Sequence, residues 1–478
     1  MRFRHVQVLV AFGLAGACDA EPGLAESELT FREAEPDEEE GTLQQAPYRV
    51  EFDASAYGGV YEAELDFEAY GPDDRPTIFM RSSQPGGKLT GYHLESGETV
   101  ADGEDYAQVE GESGVAFITR MEIDPALVAG MRLAAHAEFS ANILLMLCDE
   151  VVVNRDDVGP GSLRQAVADV RDGGSVCFDP AHFDNGIPVT LLSEIVVDKS
   201  VHICGTGIFG TVVEATQGER IFDIAGGTQS SLIDVTLRGG SQPAGGDGGL
   251  VYNAGVLTLD GAQLHSGNAE RGGAVFNVRG GDPDNPPGPN DGTLWLRETS
   301  ITYNEAARGG GIYNAGGTVY AVDSRIQHNH AEQGGGVYGD AASFSVRDET
   351  MVVHNTALEG GGFYLHSPGA ISGLNEVDGG AIHANAAERG GGVYMDGGRL
   401  RLQRNLSGIG LPEAVSGNLA EHGGGVFVSG GFLELYSNAQ VARNTARQDG
   451  GGVVNDRGSV SPGANGIVGN LPNDLVHW

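Results

Sequence analysis

Two hydrophobic periodicities divide the chain. From about Tyr48 to Leu147, apolar and polar residues alternate. Tyr61, Ala63, Leu65, Phe67 and Ala69 are interleaved with Glu62, Glu64, Asp66 and Glu68. A period of two marks half-buried antiparallel strands, with one face on a core and one in water. Similar runs at Arg49 to Asp53, Thr77 to Met80, Val115 to Ile123 and Met131 to Phe139, punctuated by Gly, Pro and Asp, predict a small β-sandwich over residues 47–148.

Near Val151 the pattern changes. Val151-Val152-Val153 reads as a strand and Gly159-Pro160-Gly161 breaks it. In Ser162-Leu163-Arg164-Gln165, Ser162 is suited to cap a helix and Gln165 to reach back as its capping box. Leu163, Ala166, Val167 and Val170 share one helical face, and Gly173-Gly174 ends the helix. A stacked β-coil has an open apolar end, and this amphipathic helix is suited to cover it.

Between 248 and 455 one phrase recurs: an aliphatic residue, two variable positions, Asn, any residue, Ala, a polar step, Gly-Gly-Gly or Gly-Gly-Ala, an aliphatic and an aromatic. The first Gly falls at 248, 272, 309, 334, 360, 390, 423 and 450, a base period near 25 with insertions. Three short strands per repeat, with turns too short for crossover helices, predict one coil of a parallel β-helix. The fold class is therefore all-β: a right-handed single-stranded parallel β-helix over 149–478, with an N-terminal capping helix, preceded by the small sandwich.

Two aliphatic columns are predicted to fill its interior. They are Val275, Ile312, Val337, Phe363, Val393, Val426 and Val453 on the first strand, and Leu257, Leu294, Val319, Phe344, Leu400, Leu433 and Val460 on the second. The Asn column (Asn304, Asn329, Asn355, Asn385, Asn418 and Asn444) reads as structural. Stacked Asn side chains bond along such a column, and Asn tolerates a left-handed turn. The aromatic column is the strongest candidate for ligand binding: Tyr252, Phe276, Tyr313, Tyr338, Tyr364, Tyr394 and Phe427. With the aliphatics facing in, alternation turns these rings out as a stripe for sugar rings or a partner's apolar surface, or as a ladder stacked on itself. His328 and His354 stack in adjacent coils behind Tyr303, as solvated turn residues.

The ends of the chain bear on location. Residues 1–18 carry Arg2 and Arg4, an apolar stretch and the small residues Ala15-Gly16-Ala17, the grammar of a secretory signal. Cys18 is a candidate for lipidation, resembling the modified cysteine of bacterial lipoproteins, although Leu14 sits four places before it instead of three. Ala15-Gly16-Ala17 also fits an ordinary cleavage site. Residues 19–46, with ten acids against Arg32 alone, read as a disordered acidic linker. The expected location is outside the cell or at its outer membrane. The only membrane attachment implied is the lipid, since no 18-residue apolar run follows.

The net charge of −38 repels phosphate backbones and excludes nucleic acid as a partner. No Cys/His spacing resembles a zinc site and no cofactor is implied. Cys177 and Cys204 lie one repeat apart, in positions where strand alternation predicts a disulfide between adjacent layers.

Gly159 to Pro180 resembles the Gly-Ser-Leu-Arg-Gln-Ala opening of bacterial right-handed parallel β-helix proteins, and Phe178-Asp179-Pro180 follows in order. The Gly-Gly-Gly/Ala-aliphatic-aromatic and Asn-x-Ala elements over 248–455 resemble the repeats of polymorphic outer membrane proteins. That resemblance implies a surface-exposed, adhesin-like β-helix. Two departures qualify it: the family's Phe before its Asn is not kept, and no C-terminal β-barrel is readable. The expected function is a non-catalytic exported surface protein that binds carbohydrate or a cell-surface protein. No catalytic residue is assigned. The alternative is a polysaccharide lyase or hydrolase of the pectate-lyase-like β-helix class. It lacks support because Asp323, Asp340, Asp348 and Asp378 fall at different repeat positions, so no paired aspartates on a coil strand are evident. Oligomeric state is not readable.

Overall fold

The computed structural model describes residues 11–12, 49–53, 59–66, 76–82, 87–95, 118–122, 130–137 and 142–478, the last span with breaks at 184, 217, 243–244, 281–291, 368–373, 404–412, 437–438 and 462–465. Cys18 and the acidic stretch 19–46 lie outside the described residues. The described chain forms two compact units, one reaching to Val151 and including Gly174–Cys177, the other comprising 152–173 and 178–478.

In the first unit the strands pair antiparallel in two four-stranded sheets. One has the order 11–12, 59–66, 130–137, 87–95, and the other 49–53, 142–148, 77–82, 118–122. Phe79 and Met146 are fully enclosed. Cys148, at the end of Asn142–Cys148, is bonded to Cys177, with Cα atoms 5.7 Å apart. This corrects the expected Cys177–Cys204 bridge. All five residues of the strand Gly174–Phe178 are buried, so alternation does not turn Cys177 to the surface. Cys204 is buried as well and takes no part in the disulfide.

The second unit is a right-handed parallel β-solenoid. Its helix, Leu163–Asp169, starts where expected, with the Ser162 hydroxyl accepting from the Gln165 N–H at 3.3 Å and Leu163, Ala166 and Val167 buried. The reciprocal half of the capping box is absent: the Gln165 amide bonds Asp169 one turn on.

Each coil contributes a first strand such as Ile312–Ala315, a second such as Thr318–Val322 and a third such as Arg325–Gln327. First and second strands belong to one continuous sheet, and the third strands form an 11-stranded parallel sheet. Pairing is in register along the predicted first column: Val275 opposes Ile312, Ile312 opposes Val337, Val337 opposes Phe363, Phe363 opposes Val393, Val393 opposes Val426 and Val426 opposes Val453. The second column also holds, with one addition. Asn375 stands between Phe344 and Leu400, buried among apolar neighbours. A fourth short piece, Asn268–Arg271 and Glu305–Arg308, was not expected. It pairs parallel to its neighbours and then runs into the glycines.

The Asn column is a buried hydrogen-bond ladder, but Asn is not the left-handed residue. Positive φ belongs to the residue before it, as at Tyr303 (55°), His328 (55°) and His354 (56°). What the position requires of Asn is one acceptor and two donors in a space closed to water. The Asn304 side chain donates to the Leu264 carbonyl and to Asn329 Oδ1, and the same pattern continues through Asn329, Asn355, Asn385, Asn418 and Asn444 to Asn470. Gly267, at the Asn position of the first copy, donates its backbone N–H to Asn304 Oδ1 and so starts the ladder.

The glycines are set by close approach as well as by φ. Gly309 has φ +64°, and a Cβ on Gly310 would lie 2.4 Å from the His330 carbonyl oxygen and 2.5 Å from that of Gly335.

Candidate active site

Residues at successive positions of a strand face alternate sides, and the first strand uses both. Ile312 points into the solenoid, while Tyr313 belongs to a separate cluster built of the aromatic column. Within that cluster the rings stack continuously from Tyr252 to Phe427, with centroids 4.8–5.4 Å apart. Arg271 lies over Phe276 and Tyr313, and Arg389 over Tyr394 and Phe427. Trp478 meets the end of the stack edge-on at Phe427. From Phe276 to Phe427 the rings are only 2–6% exposed. The predicted column is therefore a ladder stacked on itself, with no open ring face for a ligand; only Tyr252 is half-buried.

The position after the next interior residue is the one that gathers chemistry. Ala315 opposes Asp340, Asp340 opposes His366 and His366 opposes Asp396, so two aspartates and a histidine occupy one column in three successive coils. All three are half-buried, and the side chains of His366 and Asp396 are 31% and 45% exposed. His366 Nδ1 is 3.0 Å from Asp396 Oδ2. The Tyr313 hydroxyl donates to Asp340 Oδ2 at 3.0 Å.

Burial, reinforced by the Asp340 carboxylate, pushes the Tyr313 phenol up to about 12. Burial likewise raises Tyr338, with Tyr313 and Asp340 beside it, and Tyr364, with Glu359 and Asp396 beside it. These phenols stay protonated, and that of Tyr313 is a fixed donor at the edge of the acid column. On the other side of the rings runs a second polar column, in which Gln333 donates to Glu359 at 2.9 Å and Arg389 pairs with Glu359. His422 and Asp449 continue it, 3.0 Å apart.

Asp340 shares no repeat position with Asp323, Asp348 or Asp378, which sit elsewhere in their coils, so recurrence among the aspartates does not reveal the site. Counting three residues from each interior aliphatic gives Ala315 after Ile312, Asp340 after Val337, His366 after Phe363 and Asp396 after Val393, and that spacing would have found it. His328 and His354 do stack behind Tyr303, at 5.0 and 5.2 Å, on the turn before the Asn ladder. They are not part of the acid column. Among the described residues no group of three or more His, Cys, Asp or Glu is arranged to hold a metal ion.

No protein-family model and no curated protein matches the sequence. Among solved structures, the chain is similar to the catalytic unit of a thermostable GH87 alpha-1,3-glucanase from Streptomyces thermodiastaticus strain HF3-3, at 12% identity and TM-score 0.28, covering 93% of this chain and 94% of that one. It is similar also to a GH87 alpha-1,3-glucanase catalytic domain in complex with nigerose, at 10% identity and TM-score 0.24, covering 89% and 92%.

The expectation of a non-catalytic adhesive surface protein is corrected. Both supports of that expectation fail in the structure. The aromatic stripe is closed on itself, and paired aspartates do share a coil column.

Proposed function

We propose that this chain is a glycoside hydrolase acting on a polysaccharide, with Asp340 and Asp396 as its acid and base and His366 holding Asp396 in place. The observation that carries this reading is the Asp340–His366–Asp396 column, solvent-accessible and bordered by protonated phenols. Hydrolysis of a glycosidic bond needs one carboxylic acid to protonate the leaving oxygen and a second carboxylate to activate water. Two coils of about 4.8 Å separate the aspartates, which places them on the order of 10 Å apart along the axis with His366 between, so a sugar and its water would lie over the column. The Tyr313 hydroxyl holds the Asp340 carboxylate without itself ionising.

In this reading residues 1–18 export the protein, with Cys18 as its lipid anchor, and the repeats serve as the scaffold of the site. The test is release of reducing ends from a panel of α- and β-linked glucans and uronates by the wild-type chain, D340N and D396N. Turnover that is lost in both variants at unchanged thermal midpoint supports the proposal. Absence of turnover on every polymer, or turnover unaffected by both substitutions, overturns it.

A further inference from the structure

The ring ladder changes composition where the acid column begins and ends. After Tyr252 comes Phe276, in the coil of Val278. The next rings are Tyr313, Tyr338, Tyr364 and Tyr394, in the coils of Ala315, Asp340, His366 and Asp396, and Phe427 returns in the coil of Gly430. Stacking does not ask for this change. Phe276 and Phe427 stack and are buried as the tyrosines between them are, so the ladder itself does not need the hydroxyls.

The same coils carry a second wall. Gln333, Glu359 and Arg389 pair in register before the glycine bend, on the side of the rings opposite the acid column, one residue in each of its three coils. Gln333 and Arg389 both contact Glu359, so this wall is held by its own bonds. Charges from both walls reach the phenols between them: Asp340 and Arg308 act on Tyr338, and Glu359 and Asp396 on Tyr364. Neighbouring rings at 4.8–4.9 Å cover both faces of Tyr338 and Tyr364, which leaves a ligand only the hydroxyl edge. The outer two hydroxyls are engaged, Tyr313 with Asp340 and Tyr394 with Ser429. Those of Tyr338 and Tyr364 have no hydrogen-bond partner among the described residues, and neither is sealed in the interior.

We infer that the Tyr338 and Tyr364 hydroxyls form the floor of a binding subsite for a neutral, hydroxyl-rich sugar, lying between the acid column and the Gln333–Glu359–Arg389 wall. A phenol both donates and accepts, as a sugar hydroxyl does, and two phenols with open valences one coil apart can each take one. An amide, a guanidinium and carboxylates converging from the walls are the groups that orient a polar ligand. Charge selects the class of sugar. In the three coils Asp340, Glu359 and Asp396 stand against Arg389 alone, an excess of negative charge that repels a carboxylated sugar and leaves a neutral one unaffected. The inference rests on the hydrolase proposal for its polymer and deepens it by naming the class, while the subsite follows from the ladder and its two walls.

The test is calorimetric titration of D396N, to prevent turnover, with hexasaccharides of glucose in α-1,3, α-1,4, β-1,3 and β-1,4 linkage, of β-1,4-mannose and β-1,4-xylose, and with hexagalacturonate. At least one neutral hexasaccharide should bind saturably and the uronate should not. Y338F/Y364F, made in D396N and unchanged in thermal midpoint, should weaken that binding by about tenfold or more, for two lost hydrogen bonds. Tyr252 belongs to the same ladder three coils before Tyr338 and lies under Arg220, so Y252F should bind as D396N does. A flat titration with every neutral hexasaccharide, unchanged binding in Y338F/Y364F, an equal loss in Y252F, or tighter binding of the uronate would overturn the subsite. Binding without turnover by the wild type would count against the hydrolase alone, and turnover with unchanged binding in Y338F/Y364F would count against the subsite alone.

Discussion

Asn304 and Asn329 are joined twice through one atom: Asn329 Oδ1 accepts both the backbone N–H and the side-chain Nδ2 of Asn304, each at 3.0 Å. Repetition of this relationship down the solenoid makes every Asn the acceptor for the coil before it and a donor to the coil after it. The middle of the ladder should therefore be the most sensitive. Asn355 accepts from the Asn329 N–H and Nδ2 and donates to the Ile326 carbonyl and to Asn385. Asn355→Ala leaves two donors of Asn329 and one buried carbonyl unmet, a loss of about 3–9 kcal/mol at 1–3 kcal/mol for each unmet group. Asn355→Asp keeps the acceptor but sets a buried carboxylate against the Ile326 carbonyl and Asn385 Oδ1, and should lose at least as much. Urea unfolding of the two variants against the wild type measures the loss, and midpoints equal to that of the wild type would show that the ladder is not a source of stability.

The ring ladder predicts a separation between size and hydroxyl. Phe already occupies the column at Phe276 and Phe427, so Tyr364→Phe should change stability by less than about 1 kcal/mol, while Tyr364→Ala opens a void worth about 3–5 kcal/mol.

The same burial gives a pH dependence. The Tyr313 phenol is raised from 10.0 to about 12, which means that the folded protein disfavours phenolate relative to the unfolded chain. A raised folded-state value contributes stability that is complete below pH 10 and is lost as pH rises through the folded value near 12. Tyr252, Tyr338, Tyr364 and Tyr394 are shifted in the same direction. Tyrosinate absorbance and circular dichroism followed together should therefore show the buried phenols ionising as the solenoid unfolds. Ionisation near pH 10 with the fold intact would contradict this.

What the sequence disclosed and what it concealed differ for a physical reason. Interior positions obey one requirement in every coil, so Val275 through Val453 repeat visibly, and the glycine intervals match the strand registers. Chemistry obeys no repeat. Asp340, His366 and Asp396 occupy a position that is Val278 and Ala315 in the preceding coils, and a search for recurrence passes over it. Alternation separated Tyr313 from Ile312, but it could not say that the rings would cover one another, because that depends on their neighbours in adjacent coils. The left-handed residue was displaced by one for a similar reason. Asn is compatible with such a turn, but here its side chain is committed to the ladder, and Tyr303, His328 or His354 takes the strain instead.

The disulfide offers a test confined to the first unit. Cys148 and Cys177 enclose a loop whose ends are 29 residues apart in sequence, and loss of such a cross-link costs about 2–4 kcal/mol. C148S/C177S should therefore unfold at lower urea. Alkylation of the native wild type should leave Cys204 untouched, since it is buried, whereas alkylation after unfolding without reductant should label Cys204 and neither of the other two. A peptide map linking Cys177 to Cys204 would refute the observed pairing.

The spacing of the two aspartates makes a stereochemical prediction. Retaining glycosidases hold their carboxyl groups about 5–5.5 Å apart, because one of them must bond directly to the sugar, whereas inverting enzymes leave about 6.5–9.5 Å for a water. Asp340 and Asp396 are separated by a full intervening coil, that of His366, on the order of 10 Å at about 4.8 Å per coil, beyond the retaining distance and at the far end of the inverting one. The first product released should therefore carry inverted anomeric configuration, read by proton NMR of the fresh reaction before mutarotation. D340N and D396N should each lower kcat by about 10²–10⁴, the range for loss of one general acid or base, and the double variant should lose little more, because the two act in one step. Retention of configuration, or a trapped glycosyl-enzyme on either aspartate, would rule out this pair as an inverting acid and base.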